Sequence, residues 1–175
     1  SDPDASDDLE ILSIDTTGTV GTVVVNADND TVNYDPAGAF EGLAVGETAV
    51  DTFTYTVTDG NGSTDTATVS VTVTGENDLP AAVADTATVG EDDVAATPID
   101  LTGNDSDPDG SDDLEILSID TTGTQGLVVV NADNDSVNYD PNGAFEALGV
   151  GETAIDTFTY TVTDGNGGTA TETVS

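Results

Sequence analysis

The aspartates of the stretch NDSDPDGSDD, Asn104 to Asp113, are the residues whose type and spacing best suit chemistry. Three of them alternate and a glycine follows, which gives the pattern DxDxDG. Carboxylates two residues apart before a sharp turn can direct their oxygens at one Ca²⁺, a hard cation that prefers oxygen ligands. Unneutralised carboxylates this close would repel one another. The predicted calcium ligands of this loop are Asp105, Asp107, Asp109, Asp112 and Asp113.

The loop is not an EF-hand. Its twelfth position holds Ile116 instead of a bidentate Glu, and no helix is predicted on either side. A β-sandwich loop that uses the same first three ligands stays open, with a solvated acidic turn as the alternative. The earlier copy of the loop, SDPDASDD, adds Asp2, Asp4 and Asp7 to the candidate ligands.

Two further acidic clusters fall in predicted loops. The first, END, lies just before Leu79 and Pro80, where a junction between domains is predicted. The turns DGNG and NADND are adequately explained as hairpin turns, and a ligand role there is the less favoured interpretation. The additional candidate ligands are Glu76, Asn77 and Asp78 in the first cluster and Glu91, Asp92 and Asp93 in the second.

The charge balance makes an external cation necessary. Thirty-six Asp and Glu residues stand against no Lys, Arg or His, for a formal net charge of −36. Nucleic acid and anionic lipid are excluded as partners, because binding them relies on Lys and Arg. No apolar run is long enough to span a membrane, so direct membrane insertion is not expected. Divalent metal, here Ca²⁺, is the expected counter-charge.

The composition also argues against catalysis. Without His, Lys, Cys or Arg, the chain can form no nucleophilic triad, no Schiff base and no imidazole or thiolate metal site. Only a carboxylate pair of the glycosidase type is left. The sequence DTTG, at Asp15 to Gly18 and again at Asp120 to Gly123, resembles an aspartic-protease motif with one residue too many. We expect no enzyme activity.

The chain contains two copies of one internal sequence repeat. Ser1 to Ser70 aligns with Ser106 to Ser175 without a gap and with 59 identical residues of 70, a period of 105 residues. This period matches one immunoglobulin-type sandwich and exceeds the roughly 20 to 50 residues of solenoid repeats. Two domains are predicted, at residues 1–78 and 79–175. The first lacks its leading strands and the second has a truncated last strand.

Alternating Val, Ile, Leu, Phe and Tyr residues between Gly, Asn, Asp and Pro turns predict about seven short strands per domain. The expected fold is all-β, a tandem of Ig-like antiparallel two-sheet sandwiches with Greek-key connections. Short turns around Ala39 to Leu43 and Ala144 to Leu148 are the only helical candidates. The predicted strands of the second domain are Asp85–Val89, Val94–Leu101, Leu114–Ile119, Gly126–Val130, Ser136–Tyr139, Thr157–Thr163 and Thr169–Ser175. The predicted core residues are Phe53, Tyr55, Val57, Phe158, Tyr160 and Val162.

Together, the motifs NDSDPDG, VNYDP, DTFTYTVTDGNGGT and VTVTGEND resemble the cadherin-like, or VCBS-type, tandem extender repeats of giant bacterial adhesins secreted by type I systems. The resemblance covers essentially the whole chain. It implies Ig-like sandwiches, calcium at and near the linkers between domains, and a spacer role in surface attachment or biofilm. The END cluster is similar to the cadherin linker motif but shorter.

Three functions therefore stay open. A calcium-stabilised stalk segment of a bacterial surface adhesin is favoured, because near-identical copies suit a spacer whose length is the selected property. A self-assembling extracellular filament joined by strand complementation is the alternative. A sugar- or ice-binding module is the third. The expected location is extracellular, at the bacterial cell surface, and the expected partners are neighbouring repeats, copies of the same chain and calcium ions.

Overall fold

The computed structural model of the chain describes residues 8–93 and 96–175. The chain divides into two compact units, Ser1–Glu76 (unit 1) and Asn77–Ser175 (unit 2). The described residues form strands and turns and contain no helix, which confirms the all-β prediction. Within these two ranges, no helix is long and apolar enough to cross a membrane.

Unit 1 contains two small antiparallel sheets. One has the order β1-β4-β5 and the other pairs β2 with β3. Alternating Val, Thr and Tyr side chains form these strands because branched and aromatic residues pack well on a pleated surface. The longest ladder joins β4 to β5 along its full length, from Thr48 opposite Thr74 to Thr58 opposite Thr64. The strands are β1 (Glu10–Asp15), β2 (Thr22–Val25), β3 (Val32–Asp35), β4 (Thr48–Thr58) and β5 (Thr64–Thr74).

Unit 2 contains two three-stranded antiparallel sheets, with the orders β6-β9-β8 and β11-β10-β7. The chain crosses between the sheets from β6 to β7, from β7 to β8 and from β9 to β10, as in the B-E-D and C-F-G sheets of an Ig sandwich. Ile99 from the first sheet and Ile116 and Tyr160 from the second share one buried cluster. The strands are β6 (Thr97–Asp100), β7 (Glu115–Asp120), β8 (Leu127–Val130), β9 (Ser136–Asp140), β10 (Phe158–Thr163) and β11 (Thr169–Val174).

The predicted strand Asp85–Val89 is not a strand of the structure. Asp85 makes an isolated parallel bridge with Val174, supported by backbone hydrogen bonds from Asp85 N to Thr173 O and from Ala87 N to Ser175 O. The segment therefore lies beside β11 but exchanges too few hydrogen bonds to form a ladder. The first two residues of the predicted strand Val94–Leu101 lie outside the described residues, and of residues 96–101 the structure has 97–100 as a strand.

The predicted core is confirmed in unit 2, where Phe158, Tyr160 and Val162 are buried and the last two are 0% exposed. In unit 1, Phe53 is buried, whereas Tyr55 and Val57 are only half-buried. The difference has a physical cause. Tyr160 and Val162 cluster with Ile99 and Leu101, which come from and just after β6, and the described part of unit 1 has no strand equivalent to β6.

Both units contain the same clamp of a tyrosine on an aspartate. In unit 2, the Tyr139 hydroxyl donates to Asp156 Oδ2 at 2.8 Å, and the Gly126 N–H donates to the same oxygen at 2.8 Å. In unit 1, Tyr34 and Asp51 repeat this bond at 2.8 Å. A Cβ on Gly126 would overlap the Tyr139 ring, so this position requires glycine. The clamp joins the β9 sheet to the segment before β10.

Candidate functional site

The pairing of β7 with β10 brings two loops together at one end of unit 2. Glu115, the first residue of β7, lies opposite Thr163, the last residue of β10. The aspartate-rich loop that precedes β7 and the DGNG turn that follows β10 are therefore neighbours, although more than fifty residues separate them in the sequence. This antiparallel geometry brings together the aspartates of the candidate site.

Three carboxylates meet there. One oxygen each of Asp107, Asp112 and Asp164 lies within 4.8 Å of the other two. Calcium binds oxygen at about 2.3 to 2.6 Å, so two oxygens on one ion are at most about 5 Å apart. The spacing of the three carboxylates therefore fits a single Ca²⁺. The donors are all oxygens, which suits a hard cation and not zinc or copper.

Unsatisfied buried oxygens belong to the same residues and their neighbours. Asn77 Oδ1, Asp107 Oδ2 and Asp109 Oδ1 are each buried and have no hydrogen-bond partner among the described residues. The Asp109 side chain is only 1% exposed. A buried carboxylate without a partner or counter-charge is very unfavourable, and this chain contains no Lys, Arg or His to supply one. These oxygens have the character of metal ligands.

Hydrogen bonds fix the remaining atoms of these side chains. Asp107 Oδ1 accepts from the Asp109 N–H at 2.9 Å, and Asp109 Oδ2 accepts from the Asp78 N–H at 2.9 Å. Asn77 Nδ2 donates to Asp164 Oδ2 at 2.9 Å. Asn77, Asp107 and Asp109 thus each use one polar atom for the protein and leave the other for the site, which is how ligands are oriented around a bound ion.

Hydrogen bonds also fix the carboxylates of Asp112 and Asp164. Asn166 Nδ2 donates to Asp112 Oδ2 at 2.9 Å, so the turn after β10 contacts the loop before β7 directly. Asp164 also accepts hydrogen bonds at Oδ1 from the N–H groups of Gly167 and Gly168, both at 2.9 Å. The two loops and the start of unit 2 therefore form one hydrogen-bonded network.

The electrostatics of the cluster depend on these donors. Burial raises the pKa of Asp107, and the nearby charges of Asp109, Asp112 and Asp164 raise it further. Burial also acts to raise the pKa of Asp164, but the hydrogen bonds from Asn77 and the turn N–H groups outweigh it and hold the pKa below its usual value. Asp164 is thus kept ionised in a buried position, as a metal ligand must be.

A glycine permits this position of Asp164. Gly168 is buried, and a Cβ added there would overlap the Asp164 carboxylate and crowd Pro80. In unit 1 the equivalent residue is Ser63, and its N–H donates to Asp59, the equivalent of Asp164, at 2.9 Å. The Asp164 carboxylate therefore has an orientation that the serine of the first repeat would obstruct.

Two predicted ligands of the loop face elsewhere. Asp105 accepts hydrogen bonds from the Val83 N–H at 2.7 Å and from the Tyr160 hydroxyl at 3.0 Å, so its carboxylate anchors a core tyrosine. Asp113 is exposed, and its charge contributes to raising the pKa of Asp135, for which burial is the larger cause. Neither residue belongs to the group of three carboxylates.

Of the two other predicted clusters, only Asn77 and Asp78 donate hydrogen bonds to the site, and the remaining residues are not in the group of three carboxylates. Asp93 accepts a hydrogen bond from the Gly90 N–H at 2.8 Å and closes a local turn, and Asp92 is exposed. Glu91 is half-buried, with Oε2 buried and without a partner among the described residues. Glu76 is exposed at the end of unit 1. The candidates Asp2, Asp4 and Asp7 lie outside the described residues.

Asp164 was not among the predicted ligands, because its DGNG turn is sufficiently explained as a hairpin turn. The signal that identifies it is topological. In an Ig sandwich, β10 runs antiparallel to β7, so the turn after β10 must lie beside the loop before β7. An aspartate at the start of that turn is then next to any ligand in the loop.

Family comparisons agree with the two-unit architecture. Residues 77–175 match the family described as Bacterial Ig domain, and residues 1–75 match the family described as Bacterial cadherin-like domain. No curated protein sequence matches the chain.

Solved structures to which the chain is similar include animal cadherins. Mouse clustered PcdhgC3 EC1-3 is 16% identical with a TM-score of 0.52, and the match covers 95% of this chain and 53% of that one. Drosophila N-cadherin EC1-4 is 14% identical with a TM-score of 0.41, and the match covers 99% of this chain and 42% of that one. This chain therefore spans about half the length of these structures or less. At such identities the likeness shows the fold alone.

Proposed function

The chain belongs to the bacterial Ig domain family, and from this premise we propose that it is a calcium-stabilised spacer segment of a bacterial surface adhesin. Modules of this family and of the cadherin-like family are typically extracellular structural and adhesive repeats. We propose three properties beyond that: the segment depends on calcium, it acts as part of a stalk, and the stalk takes part in cell attachment or biofilm formation.

The observation that carries the proposal is the buried Asp109 carboxylate with one oxygen unpartnered. It lies in a chain with 36 acidic residues and no cationic side chain, so its counter-charge must come from solution. The adjacent Asp107, Asp112 and Asp164 offer oxygens at calcium spacing. We assign the proposed ion to the side-chain oxygens of Asn77, Asp107, Asp109, Asp112 and Asp164.

Calcium at this site would act on the fold of unit 2. The proposed ligands come from the first residue of the unit, from the loop before β7 and from the turn after β10. Without a cation the carboxylates repel one another, and the three segments lose their common partner. Extracellular calcium modules bind at roughly 10⁻⁴ to 10⁻³ M. At about 5 mM calcium, one such site stabilises the unit by about 1 to 2 kcal/mol.

The spacer role rests on the repeat. Two units with 59 identical residues of 70 offer the same surfaces twice, which suits a property that increases with copy number, such as length. The proposed partners are neighbouring repeats of the same chain and calcium ions.

Calcium titration calorimetry on the whole chain tests this function. We expect saturable binding in the range of about 0.1 to 1 mM, and a melting temperature higher in calcium than in EDTA by roughly 4 to 15 °C at matched ionic strength. The variant Asp109→Asn should weaken the binding. The matched control is Asp113→Asn, which removes the same charge from the same loop at an exposed position outside the cluster.

The control separates a site from diffuse electrostatics. If Asp109→Asn and Asp113→Asn weaken calcium binding equally, the ion is attracted by net charge and not by this geometry. If melting is the same in calcium and EDTA, calcium has no structural role in this chain.

A further inference from the structure

The strand β8 forms an open edge of its sheet in unit 2. It pairs with β9 on one side through four consecutive residue pairs, from Leu127 opposite Asp140 to Val130 opposite Val137. No strand of the described residues pairs with its other side. Leu127 and Val129 are each 51% exposed, and Val130 is 36% exposed. Alternate backbone N–H and C=O groups of β8 therefore face solvent beside apolar side chains, which is the geometry that accepts a further strand.

The other three edge strands of unit 2 carry features that oppose pairing with a further strand. Pro98 in β6 has no N–H to donate. The register of β7 shifts where it pairs with β10, which is the mark of a bulge. In β11, Glu172 lies opposite the buried Tyr160 and so places a carboxylate on the core face of the edge. β8 has none of these features, because its sequence LVVV contains no charge and no proline and its register has no shift.

The two longest stretches of the sequence without an acidic residue contain β8 and its equivalent in unit 1, β2. Residues 121–132 read TTGTQGLVVVNA, and residues 16–27 read TTGTVGTVVVNA. In β2, Val24 is 61% exposed. At a formal net charge of −36, two copies of the chain repel one another over most of their surfaces. These uncharged edges are where two copies can approach with the least repulsion.

We propose that β8 is a self-association edge, which pairs antiparallel with β8 of a second copy of the chain. The pair is symmetric, because an antiparallel contact between identical strands has a two-fold axis. Val128 lies opposite the buried Tyr139 and faces the core, so Leu127 and Val129 share the outward face. With Val128 on the axis, Leu127 of one copy lies opposite Val129 of the second copy. The two three-stranded sheets then continue as one sheet of six strands, with apolar cross-strand pairs where they join.

A second copy meets the requirements of this edge. Its partner strand must be apolar and uncharged to approach an acidic chain, and β8 has both properties in every copy. A contact of four residues is small and its affinity is low, but the equivalent edge β2 repeats it in unit 1. Further contacts then follow the first at a raised effective concentration. The proposal concerns side-by-side contact between chains and depends neither on the calcium site nor on the spacer role.

Sedimentation equilibrium of the whole chain in calcium chloride tests the proposal. The concentration series extends to about 1 mM, because so small a contact is weak. We expect self-association that strengthens from about 0.01 M to about 1 M NaCl, since the screening length falls from about 30 Å to about 3 Å. At the higher salt concentration, hydrogen exchange should slow at amides of residues 127–130 as the protein concentration rises.

Two double variants separate this edge from general charge. The variant with Val24→Glu and Val129→Glu places a carboxylate on both edges and should weaken self-association at least about tenfold, because like charges brought together at a strand contact repel. The matched control combines Leu12→Glu and Leu117→Glu, which add the same charge in β1 and β7 at positions that are each 59% exposed. We expect the control to associate as the wild type does.

Four outcomes would overturn the proposal. The first is a monomer at every salt concentration. The second is equal weakening by the two double variants, which would assign the effect to net charge. The third is undiminished association of the variant with Val24→Glu and Val129→Glu, which would place the contact elsewhere, for example at carboxylates bridged by calcium. The fourth is slowed exchange in β5 or β11 instead of residues 127–130, which would make a different edge the contact.

Discussion

Asn77 and Asp164 lie 87 residues apart in the sequence and are joined by a hydrogen bond of 2.9 Å from Asn77 Nδ2 to Asp164 Oδ2. The bond uses the donor of the amide and leaves Asn77 Oδ1 buried with no hydrogen-bond partner in the part of the chain that the structure describes. One side chain thus orients a buried carboxylate and offers an oxygen of its own. Asn77 therefore connects the start of unit 2 to the proposed site through its side chain, and the adjacent Asp78 does so through its N–H.

Substituting Asn77 by Ala should weaken calcium binding by roughly 10- to 100-fold, because the variant loses one proposed ligand and the donor that orients another. The measurement is calcium titration calorimetry of the whole chain. Asn104→Ala is the matched control, since Asn104 Nδ2 also donates to a carboxylate of unit 2, Asp85 Oδ1 at 3.0 Å, but outside the cluster. Equal affinities for wild type and Asn77→Ala would remove Asn77 from the ligand set.

The variant Gly168→Ser gives unit 2 the serine that unit 1 has at the equivalent position, Ser63. The new Cβ overlaps the Asp164 carboxylate, so this side chain must rotate away from Asn77. We expect loss of calcium binding by unit 2 in titration, while the all-β circular dichroism spectrum is preserved. The reciprocal variant Ser63→Gly adds no atoms and should leave calcium binding by unit 2 unchanged. Wild-type affinity in Gly168→Ser would show that the orientation of Asp164 is not required.

Much of the fold follows from local patterns. Alternation in TFTYTVT predicted a strand at Thr157–Thr163, and the structure has β10 at Phe158–Thr163, because a period of two residues matches a pleated strand. The strand that alternation predicted at Asp85–Val89 was wrong, because pairing there depends on how closely the segment approaches β11. That approach is a tertiary property, and only one bridge forms.

The candidate site was predictable in part. Asp107, Asp109 and Asp112 come from one loop whose spacing is visible in the sequence. Asp164 depends on the antiparallel contact between β7 and β10, which no local pattern encodes. Asp105 has the same spacing as its neighbours, yet it faces Tyr160, because alternate residues of an extended loop point in directions that the surrounding structure decides.

The tyrosine clamp predicts matched losses of stability in the two units. Tyr139→Phe removes the hydroxyl that donates to Asp156 Oδ2 and leaves a half-buried carboxylate with backbone donors only. We expect destabilisation by about 1 to 3 kcal/mol in urea unfolding. Tyr34→Phe removes the same bond to Asp51 in unit 1 and should act in the same direction. If both variants unfold as wild type does, the hydroxyls contribute nothing beyond their hydration in the unfolded chain.

The same clamp predicts how acid affects unit 1. The Gly21 N–H is the main cause that lowers the pKa of Asp51 from 3.8 to about 2, and the Tyr34 hydroxyl and the Val20 N–H add to it against the effect of burial. Because the folded pKa lies below the unfolded one, the stabilisation is present above pH about 4 and is lost as the pH falls through about 2. Carboxyl carbon NMR of the folded chain should give Asp51 a midpoint near 2.

The Asp51→Asn variant isolates this contribution from the other carboxylates. We expect it to melt below wild type at pH 6, since the charged acceptor of four donors is replaced by a neutral one. The difference should shrink as the pH falls from about 4 to about 2, because wild type then protonates the same group. Asp65→Asn, at an exposed position of β5, is the control and should shift melting little at either pH. A difference between Asp51→Asn and wild type that is constant from pH 6 to pH 2 would mean that the clamp acts through shape and not through the charge of Asp51.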